Sequence, residues 1–416
     1  MPEAYDRGAT VTRDAWGASK AAANEWDRFR GQAILAKATE TNTPETAMTP
    51  SRPQTSAGLM ARQKIATLAR SGAVSAEAPI EAAQIQPASL DLRLGAQAYR
   101  VRASFLPGGG TSVVERLKSL NPERVSLAGE GAVLEKGIVY IAPLMERLRL
   151  PMTISGAANP KSSTGRLDIF TRLIVDGSDA FDNVAAGYSG PLFAEISPRS
   201  FSVRVRAGTR LNQLRFREGA APLVLDAEAL RARHAEGPLV DWPLSLREGL
   251  IVHVGLKGEK GEIVGYRAIK NSDVIDVDRV GGYLAADFWE PILARADRRL
   301  VLDPDEFYIL ASRERMQIPG DLAAEMAPID PAIGEFRVHY AGFFDPGFGQ
   351  GPDGRPAARA VLEVRSRDVP FLLEDGQPVG RLVYERLADP PDELYGATAA
   401  SSYQHQGLKL SKHFRG

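Results

Sequence analysis

The chain has 416 residues, a formal net charge of −1 and an apolar fraction of 44%. These values suit a soluble protein that buries real cores, and they give bulk electrostatics no reason to favour nucleic acid or an anionic membrane. Cysteine is absent and only five histidines are present, which removes disulfides, thiol nucleophiles and cysteine-bound zinc. Hydrolytic chemistry would then rest on carboxylates, hydroxyls, water and magnesium carried by a substrate. The sequence has no run of 18 or more apolar residues that could cross a membrane, and the polar start MPEAYDRGATVTRD lacks a signal-peptide core, so a cytoplasmic location is expected.

In chain order, residues 1–55 read as an appendage. Ala22 to Lys37 could form a short helix, but TETNTPETAMTPSRPQTSAG has little to bury. Met48 and Met60 are both available as alternative starts. Ser56 is a candidate cap for a helix through LMARQKIATLARSG, with Leu59, Ile65 and Leu68 on one face and Gly72 ending it. Beyond it the pattern changes to short segments of alternating polarity separated by turn residues. SLDLRLG, AVLEKGIVYIAP, LFAEIS, SFSVRVRAG and LNQLRFRE are predicted strands, followed later by LIVHVGLKG, EFYILASRE, EFRVHYAGF, ARAVLEVRS and QPVGRLVYERL.

The strands are written twice. Leu134, Tyr140, Glu146 and Pro151 recur as Leu302, Tyr308, Glu314 and Pro319, an offset of 168 (302 − 134). Glu195, Arg199, Gly208, Leu214 and Phe216 face Glu363, Arg367, Gly376, Leu382 and Tyr384 at the same spacing. A period this long is a copied domain, not a solenoid unit. The prediction is all-β, with two tandem β-barrel or jelly-roll domains at 56–225 and 249–390, a few short helices, a linker at 226–248 that opens on a short helical pattern, and a tail at 391–416.

The copies differ where polar chemistry would sit. Copy one carries KSSTGR, Lys161 to Arg166: hydroxyls, a glycine and two cations between strands, a composition that can cradle a phosphate chain through backbone N–H groups and a bidentate arginine. A solvated turn of the same composition is the alternative, and no Walker motif is present. Copy two carries FFDPGFG, Phe343 to Gly349, a turn able to present one carboxylate to a planar ring or sugar, or a plain hairpin turn. Glu363 in AVLEVRS and Glu195 in FAEIS lie among apolar strand neighbours. Each is either a working acid or an ion-paired residue, with Arg365 and Arg367 at hand beside Glu363. His234, His253 and His339 read as structural. His405 and His413 lie in a tail that also holds Tyr395, Tyr403, Gln406, Lys409 and Lys412, which is either a lid over a nucleotide or a disordered segment.

QPASLDLRLG (Gln86 to Gly95), KSSTGR, the DPGF turn, LEV and the tail YQHQG follow one another in an order that resembles the dCTP deaminase branch of the dUTPase superfamily, in its long duplicated bacterial form. The resemblance covers residues 56–416. It implies dUTPase-like barrels with sites formed between neighbours, dCTP as the substrate and a homo-oligomer. Magnesium would be bound with the triphosphate, and zinc would not be needed. By matching positions it implies Glu363, Ser162 and Arg166 as catalytic residues. It likewise implies Lys161, Ser163, Thr164, Gly165, Asp345, Tyr395, Tyr403 and Gln406 as substrate-binding residues, although single-domain members often have arginine where Lys161 stands. Copy two lacks the phosphate motif, reading PIDPAIGEF at Pro328 to Phe336. Copy one lacks the sugar turn, reading FDNVAAGYSG at Phe181 to Gly190. Each chain is therefore expected to hold at most one complete site, with Glu363 ranked above Glu195. The activities that remain open are deamination of dCTP to dUTP, dUTP pyrophosphatase or bifunctional action ending at dUMP, and nucleotide sensing without catalysis.

Overall fold

A computed structural model describes residues 57–330, 336–338, 342–366, 368–397 and 403–415. The expected helix at 22–37, Ser56, His339 and Arg367 lie outside them. The described chain is mostly β-strand, with few and short helices.

The 168-residue offset appears as two pairs of matching sheets. In the first half, Arg210–Glu218 pairs with Leu90–Arg93, Gly58–Leu59 and Ile154–Pro160, and Ile154–Pro160 pairs with Asn183–Val184. The second half repeats this with Leu250–His253, Pro378–Arg386, Leu322–Pro328 and Phe343–Phe344. The other sheet places Gln97–Val101, Val139–Arg149, Ser189–Pro198 and Ile169–Val175 side by side. Its counterpart runs Ile263–Ala268, Tyr308–Met316, Ala358–Ser366 and Phe336–Val338. Register is kept to the residue: Glu195 lies opposite Ile141 and Glu363 opposite Ile309 (309 − 141 = 168). So is a turn contact. The hydroxyl of Tyr140 accepts the N–H of Glu135 at 3.1 Å, and that of Tyr308 accepts the N–H of Asp303 at 2.9 Å.

Two expectations shift. AVLEKGIVYIAP is two strands, Ala132–Leu134 and the start of Val139–Arg149, because Gly137 turns the chain at φ +81°. The first helix runs only from Arg62 to Arg70, without a side-chain cap, because Gly58 and Leu59 are drawn into the sheet opposite Glu218 and Arg217. The short helical pattern expected at the start of 226–248 forms the helix Ala227–Glu236, whose first turn is capped by Asp226 accepting the Ala229 N–H at 2.8 Å.

The halves share structure. Phe288, Trp289, Phe307 and Ile309 of the second half are buried in the first half's core, and Ile275–Asp276 pairs with Val203–Val205. From Thr55 to Gly416 the chain forms one compact unit. Arg215, fully buried on a first-half strand, donates to the carbonyls of Ala324 and Phe344, both at 2.9 Å, and lies 3.4 Å from Asp345. One buried cation thus positions the second half's DPGF turn against the first half.

Candidate active site

The duplication brings the two differing segments into one cavity of about 460 Å³, lined from both halves and from the tail. The phosphate-type motif forms a single helical turn, Ser162–Gly165, after the strand Ile154–Pro160. The N–H groups of Thr164 and Gly165 are satisfied by the Lys161 carbonyl, at 2.8 and 3.0 Å. Lys161, Ser162, Ser163 and Arg166 face the cavity. Thr164 does not: its hydroxyl donates to the Leu211 carbonyl at 3.0 Å, which fastens the turn to the neighbouring strand. Gly165 is outside the lining as well, and its place is steric. A Cβ there would overlap the carboxyl group of Glu363. The glutamate of one half therefore lies directly on the backbone of the other half's turn.

Glu363 and Glu195 occupy equivalent strand positions in opposite environments. Glu195 is 1% exposed but fully engaged: Arg172 donates to it through Nη2 at 2.7 Å and Nε at 3.2 Å, and Ser104 adds a hydroxyl. Arg172 is itself stacked on Phe181, 3.3 Å from the ring centre. Glu363 is 5% exposed, faces the cavity, and its Oε2 has no hydrogen-bond partner. Burial pushes its carboxyl well above the usual carboxylate range. Arg166 pulls it back and the nearby Asp168 pushes it further up. The neighbouring Arg365 does not neutralise Glu363, because it is committed to Asp168. One glutamate is thus a structural ion pair and the other a desolvated acid in a cleft, the pattern that marks functional carboxyls.

The tail completes the cavity. Arg166, 2% exposed, donates to the Gln406 side chain at 2.9 Å, the Lys409 carbonyl at 3.0 Å and the Ser162 hydroxyl at 3.2 Å. Its guanidinium lies over the Tyr403 ring, 3.8 Å from the centre. Burial lowers its pKa, and Tyr403, Glu363 and Tyr395 oppose that. Ser411 donates to the Ser163 carbonyl at 2.9 Å, Tyr395 receives the Tyr403 N–H at 3.2 Å, and Phe414–Arg415 pairs with Tyr283–Leu284. These described tail residues are packed against the motif and line the cavity.

Nine of the eleven residues singled out from sequence line this cavity: Lys161, Ser162, Ser163, Arg166, Asp345, Glu363, Tyr395, Tyr403 and Gln406. Sequence reasoning missed Asp91, which ion-pairs with Lys161, and Gln213, which accepts the Ser89 hydroxyl at 3.1 Å. Asp91 was legible, since it sits inside the SLDLRLG segment, but a strand acid gives no sign of its partner 70 residues away. Lys412 and His413 also line the wall. Burial and its neighbour Lys161 lower the Lys412 pKa, and burial holds His413 near 4 with its ring on the Val277 carbonyl at 2.8 Å. Among the described residues no group of three or more His, Cys, Asp or Glu is arranged to hold a metal ion.

Two family descriptions cover this architecture end to end. The N-terminal domain of 2'-deoxycytidine 5'-triphosphate deaminase matches residues 56–220, and the C-terminal domain matches residues 226–414. A solved structure, 2'-deoxycytidine 5'-triphosphate deaminase from Agrobacterium tumefaciens, is 51% identical and superimposes with a TM-score of 0.76 over 80% of this chain and 99% of that one. The chain belongs to the 2'-deoxycytidine 5'-triphosphate deaminase family. A curated relative from Halobacterium salinarum, named dCTP deaminase, dUMP-forming, is 27% identical over 204 residues, which is 96% of its length but 47% of this chain. Another of that name, from Beutenbergia cavernae, is 32% identical over 114 residues, 55% of its length and 26% of this chain. The match of a relative's nearly full length to 47% of the chain agrees with a family member built from two copies.

Proposed function

We infer that this chain is a dCTP deaminase, hydrolysing the C4 amino group of cytosine to give dUTP and ammonia. The observation that carries this reading is the buried Glu363 carboxyl, whose Oε2 has no hydrogen-bond partner among the described residues, lying on the Ser162–Gly165 turn within a cavity that both halves line. The triphosphate lies along Lys161, Ser162 and Ser163, with its magnesium arriving as part of the substrate. The Asp345 turn and Tyr395 receive the sugar and base, and Tyr403 and Gln406 close over them.

Glu363, as a carboxylate, takes a proton from water as the oxygen attacks C4, and passes it to N3. The tetrahedral adduct then carries a hydroxyl and the amino group on C4. Glu363 removes the hydroxyl proton and delivers it to the amino group, the C4–N bond breaks, and the C4 carbonyl forms. Both water protons are accounted for, one on uracil N3 and one in ammonia. A carboxyl whose pKa is raised by burial both accepts and returns protons more readily than an ordinary carboxylate, as this sequence requires. Ser162 and Arg166 hold the attacking water and stabilise charge developing on its oxygen. The paired sheets support a dUTPase-like barrel for each repeat, and family resemblance supports a cytoplasmic homo-oligomer.

A second reading, deamination followed by hydrolysis to dUMP, is favoured by the dUMP-forming name of the H. salinarum and B. cavernae relatives. Incubation with dCTP and with dUTP, scoring ammonia and pyrophosphate separately, tests both. Ammonia alone is expected from dCTP, and pyrophosphate in step with ammonia would establish the second reading. Neither product from either nucleotide would refute an enzyme altogether.

A further inference from the structure

Among the described residues the Oε2 of Glu363 has no hydrogen-bond partner, so its position depends on the strand that carries it. Two residues along the same face of Ala358–Ser366 stands Arg365. Its guanidinium reaches out of the second half to the carboxylate of Asp168, and its Nη2 also donates to the Ser200 hydroxyl at 3.2 Å. Ser200 in turn donates to Asp168 at 2.6 Å, and a second Arg365 nitrogen donates to the Asp305 carbonyl. Asp168 follows the phosphate turn directly. Its N–H bonds the Gly165 carbonyl at 2.8 Å, its carbonyl takes the Arg199 N–H at 2.9 Å, and its backbone is left-handed at φ +53°. The Asp168 and Arg365 side chains are 1% and 9% exposed. Both ends of the link are therefore rigid. One end is the turn on which Glu363 rests, and the other is the strand from which Glu363 projects.

We propose that Asp168 and Arg365 are positioning residues for Glu363, an inter-repeat ion pair that sets the glutamate against the phosphate turn and determines the charge it faces. The proposal rests on the reading of Glu363 as the proton-transfer group. The charged groups that act on Glu363 are Arg166 and Asp168, which follow the turn; Arg365 on its own strand is paired with Asp168. Its cross-strand partner is Ile309, and the covering tail presents Tyr403 and Gln406. Asp168 opposes ionisation of Glu363, whereas Arg166 favours it. Neutralising Asp168 thus removes the negative charge that opposes ionisation and makes the Glu363 carboxylate easier to form. An ion pair that only glued the halves together would matter for stability and leave the proton chemistry of folded enzyme untouched.

The test is steady-state deamination of dCTP across pH with Asp168→Asn, Arg365→Lys and the doubly neutral Asp168→Asn/Arg365→Gln, alongside thermal melting of each. Asp168→Asn is expected to lower kcat roughly 10–100-fold, as misplaced groups do. It should also move the acidic limb of kcat/KM down by roughly half a pH unit or more. Arg365→Lys keeps the charge but loses the fork, so kcat falls while the limb stays in place. The double variant regains melting temperature, because a buried pair is replaceable by neutral groups, yet its kcat remains low with KM within about threefold. Wild-type kcat in a folded double variant, or an unmoved acidic limb in Asp168→Asn, overturns the proposal. Retained activity in Glu363→Gln would be a different failure, that of the proton-transfer reading beneath it.

Discussion

Replacing Glu363 with glutamine keeps shape and volume and removes only the ability to carry a proton. In the proposed reaction that carboxyl handles every proton, and a positioned acid–base group is worth about 10²- to 10⁴-fold. Because the proposed reaction routes each proton through this one carboxyl, the upper end applies. A ~10⁴-fold loss of kcat corresponds to about 5.5 kcal/mol in the barrier. Binding of dCTP should change little, since Ser162, Ser163, Arg166 and the Asp345 turn are intact. The same substitution has a consequence for stability with a definite sign. The folded pKa of Glu363 lies above its unfolded value, mainly through burial, so the folded state holds its proton more tightly. The stability this group contributes is complete below about pH 4.5 and is lost as pH rises through the folded pKa. Glutamine removes that loss, so Glu363→Gln should melt higher than the parent at pH 8 and no higher near pH 4. Ammonia release by stopped assay, dCTP binding by calorimetry and melting at the two pH values check all three parts. Glu363→Gln retaining a tenth or more of parental kcat while Glu195→Gln abolishes it would refute the assignment. An unchanged melting temperature at pH 8 would refute the desolvated state of the carboxyl.

Other outcomes follow from the interface and from the first half. Arg215→Ala leaves Asp345 and the Ala324 and Phe344 carbonyls without their cation, a defect of about 3–5 kcal/mol by the cost of breaking a buried pair. A large drop in melting temperature with a raised KM for dCTP is expected, and a melt within 1 °C or so of the parent would contradict it. Asp182 is displaced from its ordinary 3.8 to about 7 by burial, despite accepting the Leu173 N–H at 2.7 Å. Its stabilisation is present below about pH 4 and is lost as pH rises through 7. Asp182→Asn keeps an acceptor and tolerates the φ of +60° at this position. It should therefore stabilise at pH 8 by up to ~4 kcal/mol, with the gain gone at pH 4 when melts are compared.

The sequence by itself determined the duplication, because scaffold residues must repeat wherever strands repeat. The tyrosine turn contact and the register of Glu195 and Glu363 recur 168 residues apart because the strands that hold them recur. It also pointed to the segments of the site, since hydroxyls, a glycine and cations crowded between strands leave a local mark. Small-residue strands left none: Ile154–Pro160 and Leu322–Pro328 lack clear alternation, yet each lies central in its sheet, identified by its neighbours alone. Nor could local pattern say that Thr164 serves the adjacent strand, or that Asp91 meets Lys161.

The choice between the two glutamates belonged to tertiary structure. Both have apolar strand neighbours and nearby arginines in sequence, so periodicity treats them alike. Folding gives Glu195 an arginine stacked on Phe181 and a serine hydroxyl, and it sends Arg365 away from Glu363 to Asp168 in the other repeat. Charge pairing depends on distances across the fold, and burial sets its strength; neither is carried by spacing along a strand.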